Sequence, residues 1–244
     1  MYIDNSALTL REFFTKLKAQ QPYNITVKRA LLQMFALEGS EDNKTILWDK
    51  ISKIMSLPKK IDNTLKDYFP EDEITAPHWR PSVNDFFENL NLGESLSHSL
   101  QRISDNAINE LGMISVLFKT KGQIGKLKDE QLIEIKGQLL ELKESIINSD
   151  FPINLKKEIL YYIDNMIRAF DDYEITGIEP IISATEATMG HACMSEQFNE
   201  VITTTEEGSK LKNILKKTIT SINSIEGFVS LGANGITLLE FFNK

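Results

Sequence analysis

One cysteine, Cys193, stands in the whole chain. No internal disulfide can form, and no pair of thiolates can hold a structural zinc, so a reducing, cytoplasmic setting is the natural expectation. Histidine is almost as scarce. His78, His98 and His191 lie far apart, with no HExxH, and no metal site is expected. No stretch reaches the ~18 uncharged apolar residues that a bilayer span needs. The opening residues, MYIDNSALTLREFF, lack the basic-then-apolar pattern of a secretory leader. Period-two alternation, the mark of a half-buried strand, is also missing. The basic loop KTKGQIGKLKD carries Gly122 and Gly125 but lacks the Gly-Lys-Ser/Thr ending and the preceding strand of a phosphate-binding loop. His191 and Cys193 are two residues apart, which on a helix turns them about 200° from each other, so they do not form a nucleophile pair. No catalytic residue and no cofactor are expected on these grounds.

What the chain has in abundance is helical periodicity. Hydrophobic residues make up 41% and charged residues 25%, the balance of a globular protein. The longest organised stretch runs from Asn154 to Ile225. Leu155, Ile159, Tyr162, Ile163, Met166 and Phe170 recur at steps of three and four, with Asn154 as the expected cap. Gly177 breaks this run and Pro180 suits the first turn of the next helix. There Ala184, Ala187, His191, Met194, Phe198 and Val201 are expected to form one seam. Gly208 reads as a second break. Leu211, Ile214, Leu215, Thr218, Ile219, Ile222 and Ile225 then define a third helix.

Upstream, Thr9 and Glu12 form a capping-box pattern ahead of Leu10, Phe13, Phe14 and Leu17. A second helix is expected over Ile25–Leu37. A third carries Ile46, Leu47, Ile51, Ile54 and Met55, and a fourth begins at Pro58. The stretch 70–81, PEDEITAPHWRP, holds three prolines and an acidic run and reads as a linker. A short helix over Ser82–Leu90 follows, then a longer one ending near Phe118, then one over Asp129–Asn148. The tail, GFVSLGANGITLLEFFNK, is apolar nearly all round, which calls for burial in this chain or against another. The expected architecture is therefore all-α. It is a bundle of about nine to ten helices, with a small domain over 1–69, a linker over 70–81 and a larger bundle over 82–244.

Net charge is −8 and unevenly spread, strongly acidic over 149–206 and mildly basic over 1–69. The acidic part repels phosphate and argues against nucleic-acid binding by the whole chain. Lys50, Lys53, Lys59 and Lys60, with Lys44, leave a nucleic-acid contact by the first helices as the alternative reading. The favoured partner is a protein or a second copy of the chain. His78, Trp79 and Arg80, held between Pro77 and Pro81, supply Trp and Arg as interface anchors, or else Trp79 straps the linker onto the core. Phe228, Leu231, Leu238 and Phe242 share one helical face of the tail and are the second candidate surface. The texture is similar to that of all-helical proteins from bacterial defence and toxin–antitoxin loci. The expected function is protein interaction or regulation; the rival is a helical toxin whose site converges only on folding.

Overall fold

The computed structural model describes residues 4–20, 25–38, 43–69, 76–121 and 126–225. Twelve α-helices lie among them, and no strand. The all-α class holds; the expected nine to ten helices are too few. The chain divides into two compact units, Asn5–Gln123 and Ile124–Lys244, the latter also taking Met1–Asp4.

In the unit 5–123, α1 (Ser6–Ala19) is the central helix, packed against α2 (Val27–Met34), α3 (Asn43–Tyr68) and α6 (Asp105–Thr120). Its cap is Asn5, whose side-chain oxygen accepts from the Leu8 amide at 3.0 Å; Thr9, expected to cap, lies inside the first turns. Asn5 prevails because a cap four residues earlier brings Ala7 into the buried face with Leu10, Phe14 and Leu17. α3 is one helix with Pro58 inside it, where a helix start was expected. Pro58 forfeits one backbone hydrogen bond, at a cost of about 3 kcal/mol. Leu47, Ile51, Ile54, Leu57 and Ile61 stay in phase across it, all buried, and each contributes about 1.5–3 kcal/mol. Breaking the helix at Pro58 would put half of that stripe out of register.

α4 (Trp79–Glu88) packs on α3 and α6, so the described residues 76–81 fall within this unit. Phe14 of α1 meets Phe86 of α4 edge to face at 5.1 Å. The long helix expected to reach Phe118 is two, α5 (Leu96–Leu100) and α6, because Ser104 caps α6 by accepting from the Ala107 amide at 3.1 Å. A short antiparallel bridge, Thr26 to Ser95, pins the start of α2 to the start of α5.

The other unit is a bundle of α7 (Asp129–Asn148), α8 (Ile153–Asp171), α10 (Glu179–Met194) and α12 (Glu206–Asn223), with short α9 (Tyr173–Thr176) and α11 (Glu196–Thr204) at the corners. α7 occupies the expected bounds. Its Ile135, Leu139, Leu142 and Ile146 are buried against α8 and α12. Polar pairs set the register on both flanks: Lys143 with Asp164 at 2.8 Å toward α8, and Ser145 with Glu207 at 3.1 Å toward α12. Glu134 also pairs with Lys217, so α7 and α12 run antiparallel. The α12 stripe from Leu211 to Ile225 is buried at every position named above.

Two expectations here are corrected. The seam from Ala184 to Val201 is not continuous, because Ser195 ends α10 and caps α11. α10 buries Ile181, Ile182, Thr185, Thr188, Met189 and Ala192, while Ala187 and Met194 face outward. Gly208 is not a break. It lies inside α12, where a Cβ would stand 2.0 Å from the Val201 carbonyl oxygen of α11, so only glycine allows the two helices to meet there. Gly177 does break the chain as expected, with φ +75°.

Candidate functional site

Expected contact residues fall into different environments. His78, Trp79 and Arg80 form the first turn of α4 rather than an extended linker. Glu110 of α6 makes this possible. Its Oε2 accepts from the His78 and Trp79 amides, both at 2.8 Å, and its Oε1 meets His78 Nδ1 at 2.6 Å. A carboxylate from another helix thus replaces the missing local cap. Burial pushes the Glu110 carboxyl up, but the hydrogen bonds from the His78 ring and the two amides outweigh it and hold it below its ordinary value. Trp79 is 4% exposed and belongs to the core. Arg80 stacks its guanidinium over the Trp79 ring at 5.5 Å and reaches Asp62 of α3 at 3.1 Å. What this turn offers a partner is His78 and Arg80.

The lysines of α3 do not form one stripe. Lys53 pairs with Asp49, and Lys50 lies over the Phe35 ring at 5.8 Å. At ~100° per residue, Lys60 falls with Lys53 on one flank of the buried stripe and Lys59 on the opposite side. Lys59 instead shares a face with Lys44, Trp48, Met55, Asp62 and Lys66, all within about 60° of arc. On that face Trp48 is 45% exposed and Met55, one heptad on, is 46% exposed. Lys44, Lys59 and Lys66 are exposed, and among the described residues they make no ion pair. Asp62 is held by Arg80, which joins this face to the turn of α4.

Sequence reasoning passed over Trp48 and Lys66. The signal was available: Trp48 stands one residue after Leu47 of the buried stripe, a position that turns it away from the core.

In the unit 124–244, His191 Nε2 pairs with Glu158 of α8. The imidazole stacks on Tyr162 at 4.6 Å and meets Phe198 edge-on at 5.1 Å. Burial, then Tyr161 and Glu158, raise the Tyr162 phenol. This is a half-buried histidine with one face stacked, an aromatic ring beside it and a ring nitrogen occupied, suited to tying α8, α10 and α11 together. Cys193 is exposed and points elsewhere. A second polar group, in the unit 5–123, centres on Glu94. It accepts from Ser99 Oγ at 2.5 Å and from Arg102 at 3.1 Å, with His98 at 3.2 Å. The Ser99 hydroxyl is thus committed to a carboxylate and not to an imidazole, which is the wrong arrangement for an activated nucleophile. Near the turn at Gly177, Asp171 pairs with Lys136, and Glu174 lies 4.0 Å from Lys126. Among the described residues no cluster of three or more His, Cys, Asp or Glu side chains could hold a metal ion. No helix among them is long and apolar enough to cross a membrane. Phe228, Leu231, Leu238 and Phe242 lie outside the described residues.

No protein-family model, curated protein or solved structure matches this chain.

Proposed function

We propose that this is a protein-interaction or regulatory protein whose docking surface is the outer face of α3. The observation that carries the reading is the exposed Trp48–Met55 pair on a helix whose stripe from Leu47 to Ile61 is packed in the core. Trp is among the residues that dominate binding energy when a partner covers it, and Met adapts its shape to an incoming surface. A single half-exposed apolar residue is ordinary on a protein surface; two in heptad register on one rigid helix are the pattern that helix-on-helix recognition uses.

Photo-crosslinking tests this in the cell of origin. A photoreactive amino acid at position 55 gives a discrete protein adduct that Trp48→Ala abolishes. The same probe at position 194, where Met194 is 87% exposed, gives none. Equal labelling from both positions, or none from 55, overturns the reading.

A further inference from the structure

We infer that the segment docking on α3 is an acidic amphipathic helix, an inference that rests on the reading of this face as a protein-binding surface. Charge complementarity carries it. Lys44, Lys59 and Lys66 surround Trp48 and Met55 and have no carboxylate of their own among the described residues, while the one acid on the face, Asp62, is already held by Arg80. A partner carrying carboxylates beside its apolar stripe supplies the missing charges at its rim.

The spacing favours a helix. Trp48 and Met55 are seven residues apart, about 10.5 Å along the axis, which is the rise between apolar residues at i and i+7 of a helical partner laid alongside.

Nucleic acid fits less well. The face presents no free arginine for bidentate contacts, and Asp62, one heptad on from Met55, puts a carboxylate between Lys59 and Lys66 where a phosphate would pass. Met55 offers a base no hydrogen bond and no aromatic plane. An anionic membrane also fits less well. The inner stripe of α3 is packed in the unit, so the helix cannot roll its apolar side into lipid.

Fluorescence anisotropy on the full chain decides. The probe is a labelled peptide of ~20 residues with Leu at i, i+4, i+7 and i+11 and Glu beside this stripe; its counterpart carries Lys in place of Glu. The Glu peptide binds with a dissociation constant below about 100 µM and weakens steeply as salt screens the charges. The triple variant Lys44→Glu, Lys59→Glu, Lys66→Glu weakens it by about tenfold or more, since each reversal replaces an attraction by a repulsion, and binds the Lys peptide instead. These substitutions are on the surface, and an unchanged circular dichroism spectrum shows that the variant is folded. Equal, salt-insensitive binding of both peptides overturns the acidic partner but leaves α3 as the interface. Preference for a single-stranded oligonucleotide or for phosphatidylserine vesicles over the Glu peptide overturns the inference outright, as does no binding of any probe. Loss of the Met55 crosslink specificity would instead bring down the underlying reading.

Discussion

Gly208 and Gly137 are both helical glycines, and the same substitution is expected to move stability in opposite directions. A Cβ at Gly208 would stand 2.0 Å from the Val201 oxygen, 2.5 Å from the Ile202 Cα and 2.6 Å from the Val201 carbonyl carbon. Real Cβ atoms stay beyond 3.0 Å, and all three obstacles are backbone, so α11 and the first turn of α12 must part by about 1 Å. That movement overpacks the corner, costing about 1–3 kcal/mol. It also strains the cap, where Gly208 N donates to Thr205 Oγ1 at 3.0 Å, worth about 1 kcal/mol. Alanine's better helix propensity returns about 1 kcal/mol. The net expectation for Gly208→Ala is a loss of about 1–3 kcal/mol, a fall in melting temperature of roughly 5–15 °C for a unit of this size. Gly137 has nothing within 4 Å of the same position, so Gly137→Ala should gain up to about 1 kcal/mol. Urea and thermal unfolding followed by far-ultraviolet circular dichroism measure both. A Gly208→Ala protein as stable as the wild type, or more so, would refute the close approach of α11 and α12.

Trp79→Ala should cost about 3–5 kcal/mol as a buried aromatic, while Trp48→Ala should stay within about 0.5 kcal/mol of wild type; equal effects in urea unfolding would show that one of the two is misplaced. Tyr173, which accepts from the Leu127 amide at 2.7 Å, has its phenol pushed up to about 12, first by burial. A group with a raised folded pKa contributes stability below its unfolded value and loses it as pH rises. The advantage of wild type over Tyr173→Phe should therefore hold below about pH 10 and shrink toward pH 12, and a gap that is flat across that window counts against the burial. Glu110 is held low, so its contribution is present above its ordinary carboxyl value and fades as pH falls through the folded one. Glu110→Gln should remove the acid-side slope attached to the α4 turn, and an unchanged stability profile below pH ~5 would argue against that cap.

Helix class and most buried stripes were legible because burial acts on residues three and four apart, a local signal. α7 and the whole α12 stripe were read from that spacing alone. Boundaries that depend on a distant group were not. Nothing near Trp79 announces that Glu110, far along the chain, will cap it, so the turn read as linker. Pro58 and Gly208 were misread for a related reason: their local preferences point to breaks, and tertiary packing outweighs them. Pro58 stays because the stripe around it remains in phase, and Gly208 because another helix passes within contact distance. Of the two tryptophans, Trp79 reads from its proline flanks either as an interface anchor or as the residue that straps a linker onto the core, and the structure buries it. Trp48 sits within a run of apolar residues and looks buried, yet faces outward.

Oxidative footprinting of the native assembly tests the α3 interface most directly, because Trp and Met are readily oxidised and both sit on the surface in question. The protein is oxidised alone and within the complex isolated from its cells, and each site is read by mass spectrometry. Trp48 and Met55 should be protected in the complex, while Met194 and Met113, exposed elsewhere, should react equally in both samples. Unchanged oxidation of Trp48 and Met55, with protection appearing at other positions, would contradict the account.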